Sequence, residues 1–275
     1  MTDPGLLHYV RTGSGEPLVI VHGLFGSGKN WQSLGRLFSS HFEVFTVDLR
    51  NHGQSFHHDE MNYEAMAEDL YRLLNHLGIP SCRLIGHSMG GKTSILLAFQ
   101  QPHLISRLVV ADIAPVPYVH AFDHLIDPVL SLALDQCESR SAVDAALQQS
   151  IPDNLLRSFL LQSLERKNDH WRWKVNWQVI KASLQKITGF PDLPENWQIT
   201  TPTLFIRGEH SDYIGVAEEA VIAAHFKQAT VRTVDSAGHW LHAEQPQQFA
   251  RQALDFLRGR NKSENSGRRL RVTHH

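Results

Sequence analysis

CRLIGHSMGG, residues 82–91, runs from an apolar stretch straight into a serine between two glycines. Cys82 to Ile85 has the length and character of a buried strand. Thr93 to Gln101, closed by Pro102, has those of a helix. Gly86-His87-Ser88-Met89-Gly90 is therefore a G-x-S-x-G motif at a strand-to-helix turn. Such a turn needs glycine on both sides. The serine backbone is strained, and a flanking Cβ would collide with the neighbouring strand or helix. The strain lifts Oγ into a cleft, beside free N–H groups and the positive end of the following helix. The alternative is a tight turn that happens to contain a serine, and the rest of the chain has to separate the two.

Working outward, short apolar runs recur. They are Pro17–Val21, Phe42–Val47, Leu108–Ala111, Thr203–Ile206 and Thr230–Val234. They lack polar alternation, which fits strands buried on both faces of a largely parallel sheet. Helical periodicity lies between them, as in Met66, Leu70, Leu73, Leu74 and Leu77, and in Phe249, Ala253, Leu254 and Leu257. Strand and helix alternate, so the fold class is α/β. Ligands of such sheets bind at the C-terminal strand ends, where every one of these runs meets a polar residue or glycine.

Pro115 to Asn196 breaks the alternation. It shows helical patterns over 125–134, 142–147, 155–164 and 175–187, and no convincing strand. The expected organisation is a core of residues 1–115 and 197–258, a helical cap over 116–196, and a disordered basic tail over 259–275. A tail that binds a partner is the alternative for the last segment. The cap carries Trp171, Trp173 and Trp177, which either pack it onto the core or line an acyl pocket.

A serine nucleophile needs a base. His239, in SAGHW, follows the strand that ends at Asp235 and precedes the last helix, which puts it at the same sheet edge. A metal site of His239, His242 and Glu244 is the weaker reading, because the spacing lacks a well-placed third ligand. The loop His22-Gly23-Leu24-Phe25-Gly26 follows the first buried strand. The amides of Leu24 and Met89 are the expected oxyanion hole, each donor being worth about 3 kcal/mol in such sites. His22 reads as a residue that ties this loop. The turn from Asp48 to Ser55 reads as scaffold with internally paired charges. Lys92 either neutralises an anionic substrate or sits on a solvated helix face.

HGLFGSGKNW, DLRNHGQS, GHSMGG and AGHW stand in the order found in α/β-hydrolases, and the chain resembles that family over roughly residues 6–258. ADIAPVPY after the elbow helix further resembles the small bacterial esterases of the YbfF type. The resemblance implies a mostly parallel eight-stranded sheet covered by helices, no cofactor and no metal. It also implies action on short acyl esters and acyl thioesters. The usual acid position holds Ser211, with Asp212 one residue beyond. The esterases it resembles place the acid at the end of the preceding strand, here Asp112, with a serine assisting. Asp112 with Ser211 as partner is the favoured acid, and Asp212 the alternative.

The expected activity is thus a serine carboxylesterase. Hydrolysis starts at Ser88, with His239 as base, on short- to medium-chain esters or acyl-CoA thioesters. Other readings are a carbon–carbon bond hydrolase, a perhydrolase or a lipase on the same scaffold, and a non-catalytic binding module. Composition narrows the partners to small molecules. The chain has 275 residues and a formal net charge of −2, so no field recruits nucleic acid or anionic membrane. No apolar run is long enough to span a bilayer. MTDPGLLHYV lacks the pattern of a secretory signal, and two cysteines, Cys82 and Cys137, suit a reducing compartment. A cytoplasmic location is expected.

Overall fold

The computed structural model describes residues 5–119 and 122–259. The chain runs β1 (Tyr9–Thr12), β2 (Pro17–Val21), α1 (Gln32–Phe38), β3 (Glu43–Val47), α2 (Tyr63–His76), β4 (Cys82–His87), α3 (Met89–Gln100) and β5 (Ile105–Ala111). It continues with α4 (Asp123–Ser131), α5 (Arg140–Leu147), α6 (Asn154–Leu161), β6 (Leu164–Lys167), β7 (His170–Trp173) and α7 (Trp177–Thr188). It closes with β8 (Thr203–Gly208), α8 (Val216–His225), β9 (Ala229–Val234), α9 (Leu241–Glu244) and α10 (Pro246–Leu257).

Seven strands form one sheet in the order β1-β3-β2-β4-β5-β8-β9. Only β1 is antiparallel to its neighbour. The resemblance implied eight strands. Only residues 5–8 of the described chain precede β1, and His8 spends its amide on Ser55 Oγ and its carbonyl on the Asp48 amide. The outer edge of β1 therefore carries no further strand among the described residues.

The apolar runs are continuous because both faces are covered. Leu18, Ile20, Ile85, Val109 and Leu204 pack with Phe38 of α1 and Phe249 and Leu257 of α10. Val19, Val21, Leu84, Val110 and Phe205 face the other way, onto Met66 and Leu70 of α2 and Ile95 of α3. Alternation in and out becomes apolar both ways, as a parallel sheet between two helical layers requires.

The segment between β5 and β8 is helical except for one hairpin, β6–β7, where no strand was expected. Its turn is Asn168-Asp169, both at positive φ (50° and 63°), the residue types that tolerate a two-residue hairpin turn. Burial in β7 alternates, with Trp171 and Trp173 half-buried and His170 and Arg172 exposed. Four residues are too few for that alternation to outweigh the helical periodicity around it. The basic tail lies outside the described residues apart from Gly259. No helix of the described residues is long and apolar enough to cross a membrane.

Candidate active site

Ser88 sits between β4 and α3 at φ 50°, ψ −119°, a conformation that L-residues adopt only under constraint. The constraint is visible on both sides. A Cβ on Gly86 would run into the Gly90 carbonyl, and one on Gly90 into the His22 carbonyl. The elbow is thus clamped between α3 and the loop after β2.

His239 lies in the loop after β9. Gly238 and Trp240 donate their amides to Glu244 at 2.7 and 3.2 Å, and the Ser236 amide donates to Glu209 at 2.7 Å. These bonds fix the loop on either side of the histidine. The Ser88 hydroxyl donates to His239 Nε2 over 3.0 Å. His239 Nδ1 donates to Asp112 Oδ2 over 2.8 Å. The same oxygen accepts the Ser211 hydroxyl, and Oδ1 accepts the Gly208 amide at 3.0 Å. Asp112 is fully buried, at the end of β5, with a φ of 52°. Three donors meet its two oxygens, so the buried carboxyl group is hydrogen-bonded on both.

The structure brings Ser88, His239, Asp112 and Ser211 into one chain of hydrogen bonds. Asp212 is exposed and has no bond to His239. Tyr213, two residues beyond Ser211, stacks on the His239 ring at 4.0 Å and an interplanar angle of 17°. The sequence offered no signal for that contact, because nothing local distinguishes Tyr213 from any loop tyrosine.

Leu24 and Met89 both border the cleft at Ser88. Met89 opens α3, so its amide has no intrahelical acceptor. The Leu24 loop is held by two buried histidines. His22 Nδ1 donates to the Gly23 carbonyl at 2.7 Å, and its Nε2 accepts the Leu49 amide at 3.0 Å. His52 Nε2 accepts the Phe25 amide at 3.2 Å. Burial pushes His22 down from its ordinary value and His52 down to about 3, so both accept through a neutral ring. His87, also held far down by burial, donates Nε2–H to the His239 carbonyl over 2.8 Å. It links the elbow to the histidine loop.

Other expectations resolve differently. The Asp48–Ser55 turn is scaffold, but its charges do not pair internally. Asp48 accepts the Gly28 and Gln54 amides, while Arg50 pairs with Asp69 of α2 at 2.6 and 2.9 Å. His242 stacks on Trp31 at 4.2 Å instead of facing His239 as a ligand partner, and Glu244 braces the loop. None of Trp171, Trp173 and Trp177 lines the space around Ser88. Trp177 reaches it only by stacking on Phe25 at 4.8 Å. Lys92 is not solvated. It is 1 % exposed and borders the cleft one turn beyond Ser88. The C-terminal end of α7 covers it, which no local pattern could reveal.

A sequence profile described as alpha/beta hydrolase fold matches residues 16–246. The sn-1-specific diacylglycerol lipase ABHD11 of Xenopus laevis is 38% identical over 251 residues, 88% of this chain and 80% of that protein. Esterase YbfF of Escherichia coli is 35% identical over 242 residues, 88% of this chain and 92% of that protein. Among solved structures, a marine microorganism esterase superposes with a TM-score of 0.88 at 38% identity, covering 91% of this chain and 99% of the other.

Proposed function

The chain belongs to the alpha/beta hydrolase fold family, and from that premise we propose that this ester hydrolase works as a serine carboxylesterase on short- to medium-chain acyl esters. Ser88 is the nucleophile, His239 the base, Asp112 the acid and Ser211 a second ligand of that acid. The observation that carries the reading is the unbroken relay from Ser88 Oγ through His239 to a buried Asp112.

The relay gives a definite sequence of steps. Ser88 Oγ attacks the ester carbonyl carbon as its proton moves to His239 Nε2. Asp112 holds Nδ1–H and balances the imidazolium that forms. The carbonyl oxygen becomes an alkoxide and accepts from the amides of Leu24 and Met89. Collapse expels the alcohol, which leaves with the proton from Nε2, and an acyl ester remains on Ser88. Water then gives its proton to the same nitrogen, attacks the acyl carbonyl and releases the acid and free Ser88.

Acyl-CoA thioesters would follow the same steps, with the coenzyme A thiol leaving with the Nε2 proton in place of the alcohol. Glycerides are a second reading, favoured by the name of the Xenopus laevis relative. We place the protein in the cytoplasm, a reading supported by two unpaired thiols, buried Cys82 and half-buried Cys137. The test is hydrolysis of nitrophenyl esters from acetyl to palmitoyl, of matching acyl-CoA thioesters, and of a diacylglycerol emulsion. Wild type and Ser88→Ala are run in parallel. Activity on the shorter esters that disappears in Ser88→Ala supports the reading. Equal rates for the two proteins on every substrate would refute it.

A further inference from the structure

Two compartments meet at Ser88, and Leu24, Phe122 and Tyr213 line both. The inner one is bordered by Met89, Lys92, Tyr63 and Tyr118. The outer one, the larger of the two, is bordered by Phe25, Leu125, Leu156, Phe159 and Trp240. His239 lines the outer compartment and not the inner.

That asymmetry orients an ester, given the ester-hydrolase reading above. The imidazolium must return its Nε2 proton to the departing alcohol oxygen, so the alcohol lies on the His239 side. The carbonyl oxygen turns to the amides of Leu24 and Met89. The remaining substituent, the acyl chain, points away from His239, into the compartment that begins at Met89.

Lys92 closes that compartment. It stands four residues after Ser88, about 6 Å further along α3. Its Nζ donates to the carbonyls of Thr188 and Gly189 at 3.1 and 2.6 Å and lies 4.8 Å over the Tyr118 ring. Thr188 and Gly189 end α7, so the side chain bolts the cap to the elbow helix. An acyl chain that reaches Nζ finds a polar group whose partners are main-chain atoms. Displacing it would leave a buried amino group and two carbonyls unpaired.

The outer compartment has no such stop. Its wall is mostly aromatic and aliphatic, and it is the roomier of the two. We infer that the preferred substrate is the ester of a short acid with a large apolar alcohol, with Lys92 setting the acyl limit and Phe159 and Trp240 holding the alcohol.

Two crossed ester series test this, with Ser88→Ala as the blank. For acetates from ethyl through octyl to naphthyl, kcat/KM rises by roughly tenfold or more in wild type. For methyl esters from acetate to octanoate, it falls by roughly tenfold or more beyond butyrate. Lys92→Met lifts the acyl limit and leaves the alcohol trend in place. Phe159→Ala flattens the alcohol trend and leaves the acyl limit. Labelling of Ser88 by a fluorophosphonate certifies the Lys92 and Phe159 variants as folded, and Lys92→Gln replaces Lys92→Met should that protein fail to label. Wild type that prefers methyl octanoate to octyl acetate overturns the inference. So does a folded Lys92 variant with an unmoved acyl limit. Either result leaves the ester-hydrolase reading standing. No Ser88-dependent hydrolysis in either series would remove both.

Discussion

Asp112 leaves β5 at a φ of 52°, in the left-handed region, and that conformation turns its carboxylate toward His239. Asp212 is only one residue past the position most of the family uses, yet that shift leaves it exposed. Asp112→Asn should therefore lower kcat by roughly 10³- to 10⁴-fold, since an amide cannot hold the productive tautomer. Asp212→Asn should leave kcat near the wild-type value. Ser211→Ala removes one ligand of Asp112 and should fall between them. Steady-state rates on one short ester check the ranking, and a larger loss at Asp212 than at Asp112 would reverse the assignment. Lys92 makes a second prediction at this scale. Burial pushes its amine from 10.5 down to about 7. Between those pH values the unfolded chain holds a proton that the folded chain has released. Stability therefore rises with pH through that window, and the penalty of burying Lys92 is largest below about pH 7. Lys92→Met lacks this dependence. Its stability relative to wild type should be greatest near pH 7 and decline toward pH 10, read from urea midpoints. A pH-independent difference would show that Lys92 keeps an ordinary value in the fold.

The elements show why some of this was legible from the sequence. The central strands announce themselves because each is apolar on both faces, and Ser88 and His239 are marked by glycines in their own turns. Asp112 carries no such mark. Its role depends on Gly208 and Ser211, almost a hundred residues on, which meet it only when β5 and β8 pair. Lys92 resembles a helix-surface lysine until α7 is laid across it, and β6–β7 is too short to show its period. The turn after β3 is a similar case. Its scaffold character was readable, but its partners were not, since Arg50 reaches across to Asp69 of α2 and to the Glu60 and Ala65 carbonyls. Both side chains of this pair are buried, and burial still leaves the Asp69 carboxyl raised despite the guanidinium beside it. Arg50→Met would strand that carboxylate. The expected cost is about 3–5 kcal/mol of unfolding free energy, measured by chemical denaturation. The double variant Arg50→Met with Asp69→Leu should recover most of it. A single variant as stable as wild type would mean that Asp69 is already neutral in the fold.

For the molecule as a whole, the arrangement at Ser88 depends on how the inserted segment is held. We propose residues 1–115 and 197–258 as the core and 116–196 as the cap. The two are not separate in their packing. Leu125, Ile126 and Val129 of α4, Leu160 of α6, and Trp177 and Ile180 of α7 belong to the same hydrophobic cluster as α2 and α3. Within the cap, α7 is fastened at both ends. Asn176 donates its amide to the Asn51 carbonyl at 2.9 Å, and Tyr63 and Lys92 take the carbonyls of Ile187, Thr188 and Gly189. The hydrogen bonds that hold α5 and α6 lie mostly within the cap, and one crosses to the core, from Asn30 Nδ2 to Gln162 Oε1 just past α6 at 2.5 Å. Arg157 binds Asp144 and the carbonyls of Ile151 and Pro152, all within the cap. Opening of the cleft should therefore leave α7 in place and move α5 and α6, which carry Leu156 and Phe159 of the outer compartment. Native-state hydrogen exchange tests this. Amides of α7 should be protected to nearly the level of β4 and β5, those of α5 and α6 should exchange through a smaller opening, and calorimetry should still give one unfolding transition. If α7 exchanged as early as α5, the cap would open as one body and the Lys92 contact would break with it. The inner compartment would then lose its fixed end during turnover, and a sharp acyl limit could not be maintained.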